Sequence, residues 1–167
     1  FLTVIFDLTV AIEVGLVIAC VLFMKRVMET TEISVITDEI DPNKESDITV
    51  HEENLMIPKG IEVYEINGPY FFGIATKFEE TMTQLGDRPK VRIIRMRKVP
   101  FIDSTGIHNL TALCEMSQKE KTTIILSGVN DNVHNVLEKA GFYELLGKEN
   151  ICPNINVALE RAKSLVE

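Results

Sequence analysis

The stretch Pro100-Phe101-Ile102-Asp103-Ser104-Thr105-Gly106 decides how this chain is read, because it joins two patterns of different period. Behind it, residues 91–99 are rich in branched apolar and basic side chains around Val91, Ile93 and Ile94, which is strand character. Ahead of it, Ile107, Leu110, Leu113 and Cys114 recur at helical spacing toward Lys119. The stretch is therefore a strand-to-helix turn. Asp, Ser and Thr suit a helix start, where a side-chain oxygen accepts a free backbone N–H. The same amides and the helix dipole attract an anion. Asp103, Ser104, Thr105 and Gly106 are accordingly the candidate anion or partner docking turn.

Downstream, Thr123-Ile124-Ile125-Leu126 predicts a compact strand closed by Ser127-Gly128. Asn130 or Asp131 then caps a helix with Val133, Val136, Leu137 and Ala140 on one stripe and Gly141 as terminator. Residues 142–146 pack back, and Pro153 or Asn154 opens a last helix carrying Ile155, Ala158, Leu159, Ala162 and Leu165 on one side. Upstream, Ile61-Glu62-Val63-Tyr64-Glu65-Ile66 alternates as a half-buried strand does, and Asn67-Gly68-Pro69 breaks it. Phe71, Ile74, Phe78, Met82 and Leu85 then predict an amphipathic helix. Strands alternating with helices imply an α/β fold with a mixed, mostly parallel sheet and about four to five helices. In such sheets ligands favour the carboxyl ends of the strands, where the Asp103 turn lies.

Charge is unevenly spread. The formal net charge of −8 is concentrated in residues 29–53, where nine acids face Lys44 alone, so this segment reads as an acidic, solvated connector in which Ile33, Val35 and Ile40 can form a short extended piece. The balance does not favour a nucleic-acid surface. Arg88, Lys90, Arg92, Arg95, Arg97 and Lys98 face only Asp87 locally, which predicts either a solvated basic rim or a contact for acidic partners, lipid headgroups or the connector.

Enzyme chemistry finds little support. Asp103-Ser104-Thr105-Gly106 is only superficially like the Asp-Thr-Gly of aspartic proteases, and no second half supplies a paired carboxylate. His51, His108 and His134 lack ligand spacing, and a phosphate-binding Gly-x-x-x-x-Gly-Lys-Ser/Thr loop is absent. Cys20, Cys114 and Cys152 are odd in number and widely spaced, as inert thiols in a reducing compartment are. No enzyme, metal or cofactor is expected.

Residues 1–24 are nearly continuously apolar, and as a helix they would extend about 36 Å, enough to cross a bilayer core. Lys25-Arg26 close the segment on the side that the positive-inside rule makes cytoplasmic. Asp7, Ala11, Gly15 and Ala19 form a ridge of small side chains at a spacing of four, and Glu13 must face protein, so these five residues predict packing against other membrane helices. The expected organisation is a last transmembrane helix at residues 1–28, an acidic connector at 29–53 and a cytosolic domain at 54–167, as part of a longer chain.

Three stretches carry a family resemblance: residues 99–107 around the turn, residues 63–73 upstream, and Leu137-Glu138-Lys139-Ala140-Gly141-Phe142 downstream. Together they resemble a STAS domain (sulphate transporter and anti-sigma-factor antagonist). Residues 6–15 resemble the last transmembrane helix of SulP anion permeases, which carry this domain at their cytosolic C-terminus. The resemblance implies a regulatory and interaction domain of a secondary anion transporter for sulphate, bicarbonate or dicarboxylates. It lies in the inner membrane with residues after about 25 cytoplasmic, partnered by its own transmembrane bundle and by a second copy. In soluble anti-sigma-factor antagonists the second hydroxyl of the turn is phosphorylated by a partner kinase. Thr105 occupies that position, so the alternative is a soluble partner-switching protein controlled at Thr105.

Overall fold

The computed structural model describes residues 8–29, 32–36, 39–40, 55–70 and 89–166. The chain divides into two units, residues 1–31 and 32–167. The first contains helix α1 (Leu8–Glu29). Its segment Leu8–Arg26 has a mean hydropathy of 2.2 and buries none of its residues against protein. Ala11 is half-buried, while Glu13, Gly15 and Ala19 are exposed. No atom lies within 4 Å of where a Gly15 side chain would begin. Asp7 and the predicted helix of residues 71–85 lie outside the described residues.

The second unit is built on a five-stranded sheet in the order β1 (Glu32–Ile36), β4 (Ile61–Asn67), β5 (Val91–Lys98), β6 (Thr123–Ser127), β7 (Ile151–Cys152). Strands β4, β5, β6 and β7 run parallel. The antiparallel edge strand β1 pairs with β4, from Glu32 opposite Asn67 to Ile36 opposite Val63. β1 lies within the segment read from sequence as the connector, and its Ile33 and Val35 pack on the core. A separate two-stranded sheet joins β2 (Glu39–Ile40) to β3 (Leu55–Met56). The crossovers carry α2 (Ser104–Lys119), α3 (Asp131–Lys139) and the short α4 (Phe142–Leu146), and α5 (Ile155–Val166) follows β7.

Strand periodicity divides the core in two. Tyr64, Ile66, Ile94, Met96, Ile124 and Leu126 face α2, α3 and α4, meeting Leu110, Leu113, Val133, Leu137 and Phe142. Ile61, Val63, Val91, Ile93 and Ile125 face Ile155, Ala158, Leu159 and Ala162 of α5. Full burial of such aliphatic side chains stabilises by about 1.5–3 kcal/mol each. The predicted α3 stripe is narrower than expected: Val133 and Leu137 are buried, but Val136 and Ala140 are exposed. Gly141, at φ 70, turns the chain so that Phe142, Tyr143 and Leu146 take the adjoining core positions.

Helix α2 ends in a Schellman arrangement. The Lys121 N–H donates to the Gln118 carbonyl at 3.0 Å and the Thr122 N–H to the Ser117 carbonyl at 2.8 Å. Lys121 itself sits at φ 61, where glycine is the usual residue and a side chain costs on the order of 1–2 kcal/mol.

Candidate functional site

The Asp103 turn leaves the carboxyl end of β5, as the sequence pattern predicts, but the helix begins within the motif. Asp103 is the N-cap in extended conformation, with Ser104 the first helical residue. The Gly106 amide donates to Asp103 Oδ1 at 2.6 Å and the Ile107 amide to the Asp103 carbonyl at 3.0 Å. The cap thus engages the third helical amide, while those of Ser104 and Thr105 lie ahead of the helix's own hydrogen bonds. Asp103, Ser104 and Thr105 are exposed and Gly106 is buried. The Ser104 and Thr105 hydroxyls are therefore exposed beside the capping carboxylate, at the positive end of the helix.

The upstream motif is the shelf beneath this turn. The Gly68 amide donates to the Lys98 carbonyl at 3.2 Å, the Tyr70 amide to the Phe101 carbonyl at 3.1 Å, and the Asp103 amide to the Tyr70 carbonyl at 3.4 Å. Tyr70 and Ile102 pair as a parallel bridge. A Cβ on Gly106 would collide with the Tyr70 carbonyl oxygen and come within 2.9 Å of Ile102 Cγ1. The glycine is required by close approach, since α2 must press its first turn onto the Tyr70 backbone. On the other flank, Asn130 donates through Nδ2 to the Val99 carbonyl while its Oδ1 accepts from the Val133 amide at 3.0 Å. It caps α3 and ties it to the chain entering the turn. The sequence marks Asn130 as a cap candidate; its reach across 31 residues to Val99 has no local signal.

The basic strand departs from both expectations, because neither a solvated rim nor an open contact surface describes Arg92 or Arg95. Their exposures are 4% and 7%. Register sets Glu62 beside Arg92 and Glu65 beside Arg95 on the parallel neighbour strand. Arg92 Nε lies 3.5 Å from Glu62 Oε2, and Arg95 Nη1 3.3 Å from Glu65 Oε1, with Lys98 Nζ 3.8 Å from Glu65 Oε2. Arg92 also donates to Ser117 Oγ at 3.3 Å and lies 5.7 Å from the Tyr64 ring centre. The Tyr64 hydroxyl donates to Glu62 Oε2 at 2.8 Å, and burial followed by that bond pushes its pKa well above the usual range. Alternation sends Arg92 to the α2 face and Arg95 to the α5 face. The acids of β4, which read alone as a solvated face, are the counter-ions.

Among the described residues no group of three or more His, Cys, Asp or Glu side chains is placed to hold a metal. Cys114 and Cys152 are buried free thiols whose pKa values are raised by burial, Cys114 to about 12.

The STAS domain family matches residues 54–158. A putative sulfate transporter of Bacillus subtilis, YvdB, is 27% identical over 150 residues, covering 89% of this chain and 26% of the relative. The chain thus spans about a quarter of the length of the curated relatives it matches. Among solved structures, a sulfate transporter family protein from Wolinella succinogenes is 45% identical with a TM-score of 0.64, over 67% of this chain and 92% of that one. The STAS domain of a SulP transporter from Vibrio cholerae is 34% identical with a TM-score of 0.60, over 66% of this chain and 87% of that one.

Proposed function

The chain belongs to the STAS domain family, in the branch carried by sulfate transporters, and from that premise we propose that it is the membrane-tethered regulatory domain of a secondary anion transporter. The observation that carries this reading is the presence, in one chain, of a span-length apolar helix with no protein cover and a folded STAS unit. Residues 1–28 are then the last membrane helix, with Asp7, Ala11, Glu13, Gly15 and Ala19 packing on the rest of the bundle. Residues 54–167, with the edge strand β1 supplied from the intervening segment, form the cytoplasmic domain on the inner membrane, and that domain assembles as a homodimer. A transported sulphate, bicarbonate or dicarboxylate belongs to the bundle, so the domain has no catalytic role.

The Asp103–Gly106 turn is the docking surface of this domain. Its exposed hydroxyls, held on a capped helix end, suit a partner protein or a kinase acting at Thr105. A phosphate on Thr105 would add about two negative charges beside favourable helix-end potential. The alternative, a soluble partner-switching antagonist, is the weaker reading because that class has no use for α1.

Anion uptake into vesicles carrying the parent transporter, with and without residues 54–167, tests the main reading. Reduced transport or assembly with unchanged anion preference is expected. A changed preference would place substrate selection in this domain, and recovery of the parent protein in the soluble fraction would overturn the transporter assignment.

A further inference from the structure

At the amino ends of the parallel strands, opposite the Asp103 turn, lies a cavity of about 260 Å³ between the C-terminal half of α2, the start of β6, the end of α4 and the turn after it. Its floor is apolar and buried: Cys114, Ile124 and Leu146. Its rim is polar, made by Gln118, Lys121 and Thr123. The deeper polar groups are already engaged. Thr122 Oγ1 donates to the Pro89 carbonyl at 2.8 Å, and Asn150 donates to the Leu146 carbonyl at 2.8 Å while accepting from Arg161 Nε at 3.3 Å. The floor therefore offers contact rather than hydrogen bonds, and the ionic chemistry rests on the rim.

Lys121 supplies that chemistry. It is exposed, and among the described residues its ammonium has no acid within ion-pairing distance. It also stands at the left-handed position closing α2, where glycine would be less strained. Its charge is favourable beside the carbonyl end of α2, and it is the one cation among the residues lining the pocket.

We infer that this cavity binds a small amphiphilic monoanion, a carboxylate with a short aliphatic tail, its carboxylate on Lys121 and its tail on Cys114, Ile124 and Leu146. A dianion such as phosphate fits poorly, because the rim offers a single cation to match its charge. The volume admits a tail of a few carbons, smaller than a drug-sized ligand. The site stands on its own geometry and is independent of the transport reading.

The test is titration of the 167-residue chain with hexanoate, followed by NMR of isotope-labelled Ile, Leu and Thr methyl groups, with hexanamide and inorganic phosphate as comparators. Saturable shifts at Ile124, Leu146 and Thr123 are expected with hexanoate, at least about tenfold weaker with hexanamide, and absent with phosphate. Lys121→Ala is expected to weaken hexanoate by at least about tenfold. Lys121→Gly should do the same while raising the unfolding temperature, which separates lost binding from lost folding. The inference is overturned if hexanoate gives no saturable shift at those methyls, if hexanamide binds as well, if phosphate competes, or if both lysine variants bind as the parent chain does.

Discussion

In α1, Leu8, Ile12, Leu16 and Phe23 are exposed by 63%, 63%, 66% and 68%, whereas in β5 the guanidinium residues Arg92 and Arg95 keep 4% and 7%. Apolar side chains lie open in one element and charged ones are enclosed in the other. Apolar groups on every side of a span-length helix suit hydrocarbon, where no packing partner is needed to bury them. In β5 the medium is protein, and register makes the burial tolerable by setting an acid of β4 opposite each arginine. Hydrophobicity alone accounts for the pattern of the first and misreads the second, because a buried charge depends on a partner some 30 residues away.

The largest effect that would break this comparison is at Glu65. Glu65→Ala leaves Arg95 enclosed without its main counter-ion, and removal of one member of a buried pair costs about 3–5 kcal/mol. Replacing both residues by leucine should recover most of that loss in urea denaturation. A small cost for the single variant would mean that solvent reaches Arg95 and that the burial is nominal.

Next is the membrane half of the comparison. Val17 is 62% exposed near the middle of α1, and Val17→Arg should disfavour membrane insertion by about 2.5–3.5 kcal/mol. Carbonate extraction of membranes is the readout: a variant retained in the pellet as fully as the parent chain would argue that α1 does not meet hydrocarbon.

Gly106→Ala comes third. Its added methyl meets the Tyr70 backbone, which cannot rotate away, so overpacking should cost about 1–3 kcal/mol in thermal or urea unfolding. Loss of less than this would show that α2 slides on its shelf.

The buried thiol gives a smaller, pH-dependent effect. Burial, and then the Glu115 charge, pushes Cys114 from 9.0 up to about 12. Because the folded value is raised, its contribution is complete below the ordinary thiol range and is lost as pH climbs toward about 12. Each pH unit above about 9 should then remove up to about 1.4 kcal/mol through this group. Urea midpoints at rising alkaline pH check the slope, and Cys114→Val should lower it by one proton.

What the sequence disclosed follows from the range of the interactions. β4, β5, β6, α2 and α5 were readable because their periodicity and caps are local, as with Asn154, whose Oδ1 accepts from the Val157 amide. β7 was not, since two residues carry no period and exist as strand only by pairing with Leu126 and Ser127. β1 is legible only as a short extended piece at Ile33 and Val35, because the acids around it mask the pairing with β4 that places both side chains on the core. At the turn, the cap chemistry of Asp103 is legible, while the apolar period becomes visible only from Ile107, three residues after the helix begins. The need for Gly106 was invisible, because the atom it avoids belongs to Tyr70. The arginine pairs were missed for the same reason: strand register is not written in either strand alone.

The smallest effect separates what the turn does for the fold from what it offers outward. Ser104 and Thr105 are exposed, whereas Asp103 holds the Gly106 amide and Gly106 meets Tyr70. Ser104→Ala and Thr105→Ala should therefore each shift stability by no more than about 0.5 kcal/mol, against about 1 kcal/mol for loss of the Asp103 cap. Calorimetry of the three variants decides it. Hydroxyls that the fold does not need are free for docking or modification. A hydroxyl variant as damaging as Asp103→Ala would instead make the turn a structural cap throughout, and the docking surface would have to be sought elsewhere on the domain.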